Sequence, residues 1–195
     1  MKPVLMIHEI REEFFDLPLE NYILTFDDGL FSQYHYYPRF KEIPTEKIYF
    51  VSSGIICDCE QSTEFPACHI AHEKAFAGNK EDYMTIEQIK ELMQDPLVTI
   101  GAHGHSHKNL EDFSKVTHRA MHVIEDTKIM VQWFKDNLNY IPTAFCFPHN
   151  NDIDGMYQPV LKAAGFTDFY GRERIAIESV PNGTYSTVSH ESNTK

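Results

Sequence analysis

Residues 22–29 read YILTFDDG, an apolar run that ends in two aspartates and a glycine. Such a short run is typical of a strand in a sheet that is covered on both faces. Adjacent carboxylates repel one another unless a cation or a hydrogen bond stabilises their negative charge. We therefore interpret Asp27 and Asp28 as one metal ligand and one general base, with Gly29 allowing a sharp turn. The alternative is that an aspartate caps a helix that begins near Leu30.

Similar apolar runs recur along the chain. Besides Tyr22–Phe26, strands are predicted at Val4–Ile7, Lys47–Ser52, Leu97–Ile100, Thr143–Phe147, Phe166–Tyr170 and Ile175–Ile177. The amphipathic stretches between them predict helices at Met84–Met93, Glu111–Leu138 and Met156–Ala164. Strands that alternate with helices predict an α/β fold with a largely parallel sheet, either doubly wound or curled into an incomplete barrel.

The chain length of 195 residues suits a single domain over residues 1–195. Residues 56–82 have no clear periodicity, so we interpret them as an insertion between a strand and the next helix. The insertion carries several potential metal ligands: Cys57, Cys59, Cys68, His69 and His72. It either covers the substrate or holds a second, structural metal ion. From about residue 178 the chain is rich in Ser, Thr and Asn, and we expect a partly ordered tail.

The composition excludes several classes of protein. A hydrophobic fraction of 42% argues against a disordered chain, and a net charge of −12 argues against a nucleic-acid partner. The sequence contains neither a recognisable signal peptide nor an apolar run long enough to cross a membrane. We therefore expect a cytoplasmic protein without a transmembrane segment, and its oligomeric state is left open.

Further polar residues follow two other predicted strands. His103, His105 and His107 come after the strand at Leu97–Ile100, and residues 148–152, PHNND, come after the strand at Thr143–Phe147. The carboxyl ends of parallel strands meet at one edge of a sheet, so these residues are expected to converge with the aspartates.

The histidine spacing indicates a metal site. His103 and His107 are four residues apart and can present two imidazoles to one ion, whereas His105 is either a supporting residue or faces the substrate. One aspartate and two histidines leave a coordination position for water, which is the pattern of a catalytic metal site. Carboxylate and imidazole ligands favour Zn²⁺, with Co²⁺, Ni²⁺, Fe²⁺ and Mn²⁺ as alternatives.

These motifs resemble those of the polysaccharide deacetylase family, also called the NodB-homology family or family 4 carbohydrate esterases. The resemblance rests on TFDDG at 25–29 and HGHSHKNL at 103–110, framed by VLMIHEI at 4–10, KIYFVSSGI at 47–55 and FCFPHNN at 145–151. KAAGF at 162–166 also has a counterpart in the family, in the same order along the chain.

The resemblance implies a distorted, incomplete (β/α) barrel of the seven-stranded, TIM-like type. It implies that Asp28, His103 and His107 bind one divalent metal and that Asp27 is the catalytic base. The implied reaction is hydrolysis of an N-acyl group, usually N-acetyl, from an amino sugar by metal-activated water. A backbone N–H near His149 or Asn150 would stabilise the oxyanion.

The sequence departs from the family at the third motif, which is FCFPHNN at 145–151, and near the C-terminal end of the chain. Phe147, Pro148 and Asn150 are expected to contact substrate, but the arginine that often steadies the catalytic aspartate is missing. The family's late motifs have no clear match, and Trp133 is in the wrong place for one of them. The general acid is therefore unassigned, with His149, His105 and His190 as candidates.

A cytoplasmic deacetylase would meet sugar nucleotides or glycoconjugate precursors, such as those of lipopolysaccharide O-antigen or capsule. Two other functions remain open from the sequence alone. One is hydrolysis of a non-sugar amide or formamide, because related domains cleave such bonds. The other is a domain that keeps the metal and binds carbohydrate without cleaving it, because the late motifs are missing.

Overall fold

The computed structural model describes residues 2–181. The strands are β1 (Val4–Ile7), β2 (Ile23–Phe26), β3 (Lys47–Val51), β4 (Val98–Ala102), β5 (Ala144–Cys146), β6 (Asp168–Tyr170) and β7 (Ile175–Ala176). The α-helices are α1 (Phe31–His35), α2 (Tyr37–Lys41), α3 (Cys68–Phe76), α4 (Ile86–Leu92), α5 (Val116–Leu138) and α6 (Tyr157–Ala163). The α/β prediction and the positions of all seven predicted strands are confirmed.

The strands form one parallel sheet in the order β6-β5-β4-β3-β2-β1-β7. The two edge strands are joined by residues 171–174 alone, a link that spans at most about 17 Å from Tyr170 to Ile175. The edges of a flat sheet of this size would lie about 29 Å apart. The sheet is therefore curled into a half-barrel, which confirms the incomplete barrel and excludes the doubly wound alternative.

Local signals fix the ends of α4 and α6 close to the predicted positions, whereas α5 begins at Val116 rather than at the predicted Glu111. Thr85 is the N-cap of α4 and forms a capping box with Gln88. Gly165 follows α6 with a φ of 103°, a conformation that favours glycine. Leu30 is the N-cap of α1, so the alternative in which Asp27 or Asp28 caps this helix is wrong.

The insertion differs from the prediction in one respect, because residues 68–76 form helix α3. The helix has no apolar stripe along its length, and only Ala71, His72 and Ala75 are buried in it. Ala71 and Ala75 pack with Leu30, Ile55, Cys57 and Tyr83 in a cluster separate from the main core. A short helix with alanines on its buried face gives little periodic signal in the sequence.

All strands point the same way, so their carboxyl ends share one edge of the half-barrel. The largest hydrophobic cluster lies below this edge and includes Phe26, Tyr49, Phe134 and Phe145, all fully buried. Residues 2–181 include no helix with both the length and the apolar character needed to cross a bilayer.

Candidate metal centre and catalytic site

The two aspartates leave β2 on a strained turn. Asp27 and Asp28 are 0% and 1% exposed, and Asp28 has a φ of 77°. Gly29 continues the turn with a φ of 79°. A non-glycine residue in this region costs about 1–3 kcal/mol and persists only where its surroundings impose it. The turn directs the two carboxylates to different partners.

Asp28 faces two imidazoles from the segment after β4. Its Oδ1 lies 3.2 Å from His103 Nε2 and 3.0 Å from His107 Nε2. The His103 Nδ1 lies 2.8 Å from the Cys146 carbonyl oxygen, which fixes the ring with Nε2 toward Asp28. His107 has a φ of 50°, a second left-handed residue at this site. The structure thus brings together the three residues that the sequence indicated as ligands.

The surroundings of Asp28 fit a cation. Its Oδ1 is buried and has no hydrogen-bond partner within residues 2–181. Burial raises the pKa of Asp28, but the imidazoles of His107 and His103 lower it more, so the pKa lies well below its usual range. A buried, ionised oxygen surrounded by imidazole nitrogens is a chemically suitable site for a divalent metal, and Asp28, His103 and His107 form such a group.

The histidine segment is held in place by helix α5. Asp126 accepts hydrogen bonds from the backbone N–H of His105 at 2.7 Å and of Ser106 at 2.9 Å, and from the Ser106 hydroxyl at 2.6 Å. The His105 ring lies 2.9 Å from the Ser53 hydroxyl. His105 therefore has a supporting position and does not line the cavity beside Asp28.

Asp27 is paired with an arginine. Nη1 and Nη2 of Arg174 donate to Oδ1 and Oδ2 of Asp27, each at 2.7 Å, and the arginine side chain is fully buried. Arg174 also donates to the Asn150 side-chain oxygen and to the Thr25 hydroxyl. Burial raises the pKa of Asp27, and the Arg174 guanidinium more than compensates, so the pKa is lowered overall. Asp27 is therefore held ionised.

A cavity of about 280 Å³ opens above these residues. Its lining includes both aspartates together with His8, His103, His107, His149 and Asn150. His8 follows β1, and its Nε2 lies 3.7 Å from Asp27 Oδ2. Two carboxylates, several imidazoles and an amide therefore share one solvent-accessible space.

Some residues of the third motif line the cavity and others lie in the core. His149 and Asn150 line the cavity, both with left-handed backbones of φ 55° and 56°. Phe147 is 7% exposed and stacks on Phe169, and Pro148 is buried, so neither lines the cavity as the substrate-contact prediction required. The strand alternates its faces, and the ring of Phe147 falls on the core side.

Helix α3 covers one side of the cavity. The Cys68 thiol lies 2.9 Å from Asp28 Oδ2, and the His72 ring stacks on His107 with centroids 4.2 Å apart. Burial lowers the pKa of His72 to about 4 although Asp28 opposes this, so the ring is neutral. Cys57 and Cys59 are paired with each other. The second, separate metal site considered for the insertion is therefore not assembled among the described residues.

The sequence and the fold both have known relatives. The family model for polysaccharide deacetylases matches residues 18–169, which is most of the chain. The chain belongs to the polysaccharide deacetylase family. This membership indicates, at a coarse level, a carbohydrate deacetylase.

Solved structures share the fold of this family member at low sequence identity. IcaB from Ammonifex degensii is 20% identical with a TM-score of 0.65, over 93% of this chain and 87% of that chain. The deacetylase PplD from Streptococcus pyogenes, solved with acetate, is 18% identical with a TM-score of 0.57, over 85% and 80%. A de-N-acetylase from Aggregatibacter actinomycetemcomitans is 15% identical with a TM-score of 0.61, over 90% and 93%. No curated protein matches this chain.

Several residues of this polysaccharide deacetylase site were not recognised from the sequence. Arg174 pairs with Asp27, the contact expected of the arginine that the third motif lacks, and its only local signal is its position directly before the predicted strand at Ile175–Ile177. His8 directly follows the first predicted strand, within the VLMIHEI segment at 4–10, and is not among the predicted site residues. His190, a candidate general acid, lies outside the described residues.

Proposed function

We propose that this chain is a metal-dependent N-deacetylase that removes an acetyl group from an amino sugar. The observation that carries the proposal is that the two adjacent carboxylates have different partners. Asp28 faces a group of imidazoles, whereas Asp27 is held ionised by Arg174 in the same cavity. In this proposal one carboxylate binds an ion, and its neighbour accepts a proton.

Asp28, His103 and His107 would hold the ion, and their oxygen and nitrogen atoms favour zinc. When bound there, a divalent ion supplies a Lewis acid that polarises the acyl carbonyl and makes a nearby water more acidic.

Asp27 takes the proton from the attacking water. Arg174 keeps this carboxylate ionised and fixes its orientation through two hydrogen bonds. The Asn150 N–H is already donated to the Phe147 carbonyl at 2.8 Å. The His149 N–H is therefore our candidate from the third motif for stabilising the developing oxyanion.

His8 is our candidate for donating a proton to the leaving amine. Its Nε2 lies beside the Asp27 carboxylate at 3.7 Å, and its side chain is 29% exposed at the cavity. An imidazole at this position can pass a proton to a leaving group in the cavity. His149 packs against the His107 ring, with centroids 4.8 Å apart, and is the alternative donor.

The substrate is proposed to be a single N-acetylated sugar residue of a glycoconjugate precursor, such as one for O-antigen or capsule. A cavity of about 280 Å³ is at the small end of ligand cavities, which favours one sugar residue over a long oligomer. Two of the structural neighbours are described as a deacetylase with acetate and a de-N-acetylase, which favours acetyl as the acyl group.

The proposal is tested by acetate release and zinc content on the same samples. Substrates would be UDP-linked N-acetyl sugars and N-acetylglucosamine oligomers. We expect Asp27→Asn to retain zinc and to lose activity by about 10²–10⁴-fold, because it removes the base and leaves the ligands. Asp58→Asn, at an exposed position in the insertion, is the control and should behave like the wild type. In the same assay His8→Asn should reduce kcat more than His149→Asn.

The outcomes separate the alternatives. Full activity of Asp27→Asn would contradict its role as base. Bound zinc with acetate or formate released from simple amides, and none from sugars, would favour an amide or formamide hydrolase. Bound zinc without hydrolysis of either class would favour a carbohydrate-binding role.

A further inference from the structure

Helix α3 adds a third imidazole beside Asp28. His72 Nε2 lies 3.6 Å from Asp28 Oδ1, the same oxygen that faces His103 Nε2 at 3.2 Å and His107 Nε2 at 3.0 Å. Two ligands bound tetrahedrally to one zinc ion lie about 3.4 Å apart. The three distances scatter around this value, so each imidazole taken singly lies within reach of an ion bound to Asp28 Oδ1.

The orientation of His72 is that of a metal ligand. Its Nδ1 lies 2.9 Å from the Cys68 carbonyl oxygen, which directs Nε2 toward Asp28. His103 is oriented in the same way by the Cys146 carbonyl. Metal-binding histidines commonly donate the second ring N–H to a backbone carbonyl. His72 Nε2 is buried and has no hydrogen-bond partner within the described part of the chain.

We infer that His72 is a fourth protein ligand of the ion bound by Asp28, His103 and His107. Asp28 belongs to two groups of potential ligands, one with His103 and His107 and the other with Cys68 and His72. An ion on this carboxylate therefore has donors from both the strand ends and the insertion. The inference rests on the metal dependence of the proposed function.

Cys68 has a different role in this arrangement. Its thiol donates to Asp28 Oδ2 at 2.9 Å, on the oxygen opposite the imidazoles. The thiol thus orients the carboxylate so that Oδ1 faces the three rings. Cys68 is a positioning residue, and His72 is the ligand.

A fourth protein ligand changes what the site must do. Four protein ligands complete a tetrahedral zinc site, whereas hydrolysis needs a position for water or substrate. His72 would therefore serve to hold the ion, and the proton transfers would remain with Asp27 and the general acid. Loss of His72 is expected to weaken zinc binding more than it lowers kcat at saturating zinc.

The experiment measures zinc affinity by competition with a chromogenic chelator, and counts imidazole ligands by X-ray absorption of the zinc-loaded protein. We expect His72→Ala and the bulkier His72→Gln to weaken zinc binding by about 10–100-fold. The number of imidazoles should fall from three to two. His69→Ala is the matched control, because His69 is exposed on the same helix and lines the same cavity. It should leave both values unchanged, and circular dichroism checks that each variant is folded.

Several results would overturn the inference. One is an imidazole count of two in the wild type; another is equal zinc affinity of the wild type and both His72 variants. In the cobalt-substituted protein, a sulfur-to-cobalt charge-transfer band that disappears in Cys68→Ser would make Cys68 the ligand instead. Three imidazole ligands on zinc in the wild type, without acetate release from any sugar, would support the inference while contradicting the proposed function. Failure of the wild type to bind zinc would contradict both.

Discussion

The strand ends and the insertion place donors around one carboxylate by different means. His103 is fixed within the sheet edge, where its N–H donates to the Val51 carbonyl at 2.9 Å and its own carbonyl accepts from the Ser52 hydroxyl. Helix α3 is attached by the Cys68 N–H, which donates to Glu9 Oε1 at 2.6 Å, and by a small apolar cluster. The sheet edge holds its residues in position through several neighbouring elements. The insertion holds His72 on a short helix that is attached through this hydrogen bond and this small cluster.

The largest effect is expected on the sheet side, at Arg174. Replacing it in Arg174→Met leaves the buried Asp27 carboxylate without its partner, which should lower the free energy of unfolding by about 3–5 kcal/mol. Urea unfolding measures this change. Arg172→Met, at an exposed position two residues earlier, should change it by less than about 0.5 kcal/mol. Equal stability of the two variants would mean that the sheet edge does not depend on this pair.

An intermediate effect is expected at Asp126, which holds the histidine segment from α5. Asp126→Asn replaces an acceptor oxygen by an NH₂ group that faces backbone N–H donors, so the segment that carries His103 and His107 should shift. Zinc affinity should fall by about tenfold, as for other residues that support metal ligands. Asp136→Asn, exposed on the same helix, is the control. An unchanged affinity of Asp126→Asn would show that the segment holds its shape without α5.

The smallest effect is expected where the insertion joins α4. Thr85→Ala removes the capping hydrogen bond from the Gln88 N–H and should cost about 1 kcal/mol of unfolding free energy. Zinc affinity should stay that of the wild type, because the cap does not contact the site. Thr117→Ala, exposed on α5, is expected to be nearly neutral. A loss of zinc affinity as large as that of Asp126→Asn would contradict the contrast between the two parts.

The sequence predicts the sheet and the residues at its strand ends because both leave local signals. Each apolar run of the sheet is short and ends at polar residues, and parallel strands bring those ends together. Asp27, Asp28, His103 and His107 were indicated in this way, and the structure brings their side chains into one site.

The remaining residues of the site depend on contacts between distant segments. Arg174 reaches Asp27 across 147 positions of sequence, and no local pattern specifies that pairing. Cys68 and His72 lie in a segment whose short helix has no apolar stripe, so its direction relative to the sheet was not predictable. Phe147 was expected at the cavity because it sits within a motif, but the strand's alternation turns it into the core.

The link of residues 171–174 between the edge strands has a consequence for comparing related sequences. Surface loops usually accept added residues readily. The link of residues 171–174 spans the gap between the two edge strands and also carries Arg174, which pairs with Asp27. The length of the link therefore determines the position of the Arg174 guanidinium. In a sequence alignment of relatives that keep an arginine here, gaps should fall outside this link, although it looks like an ordinary variable loop.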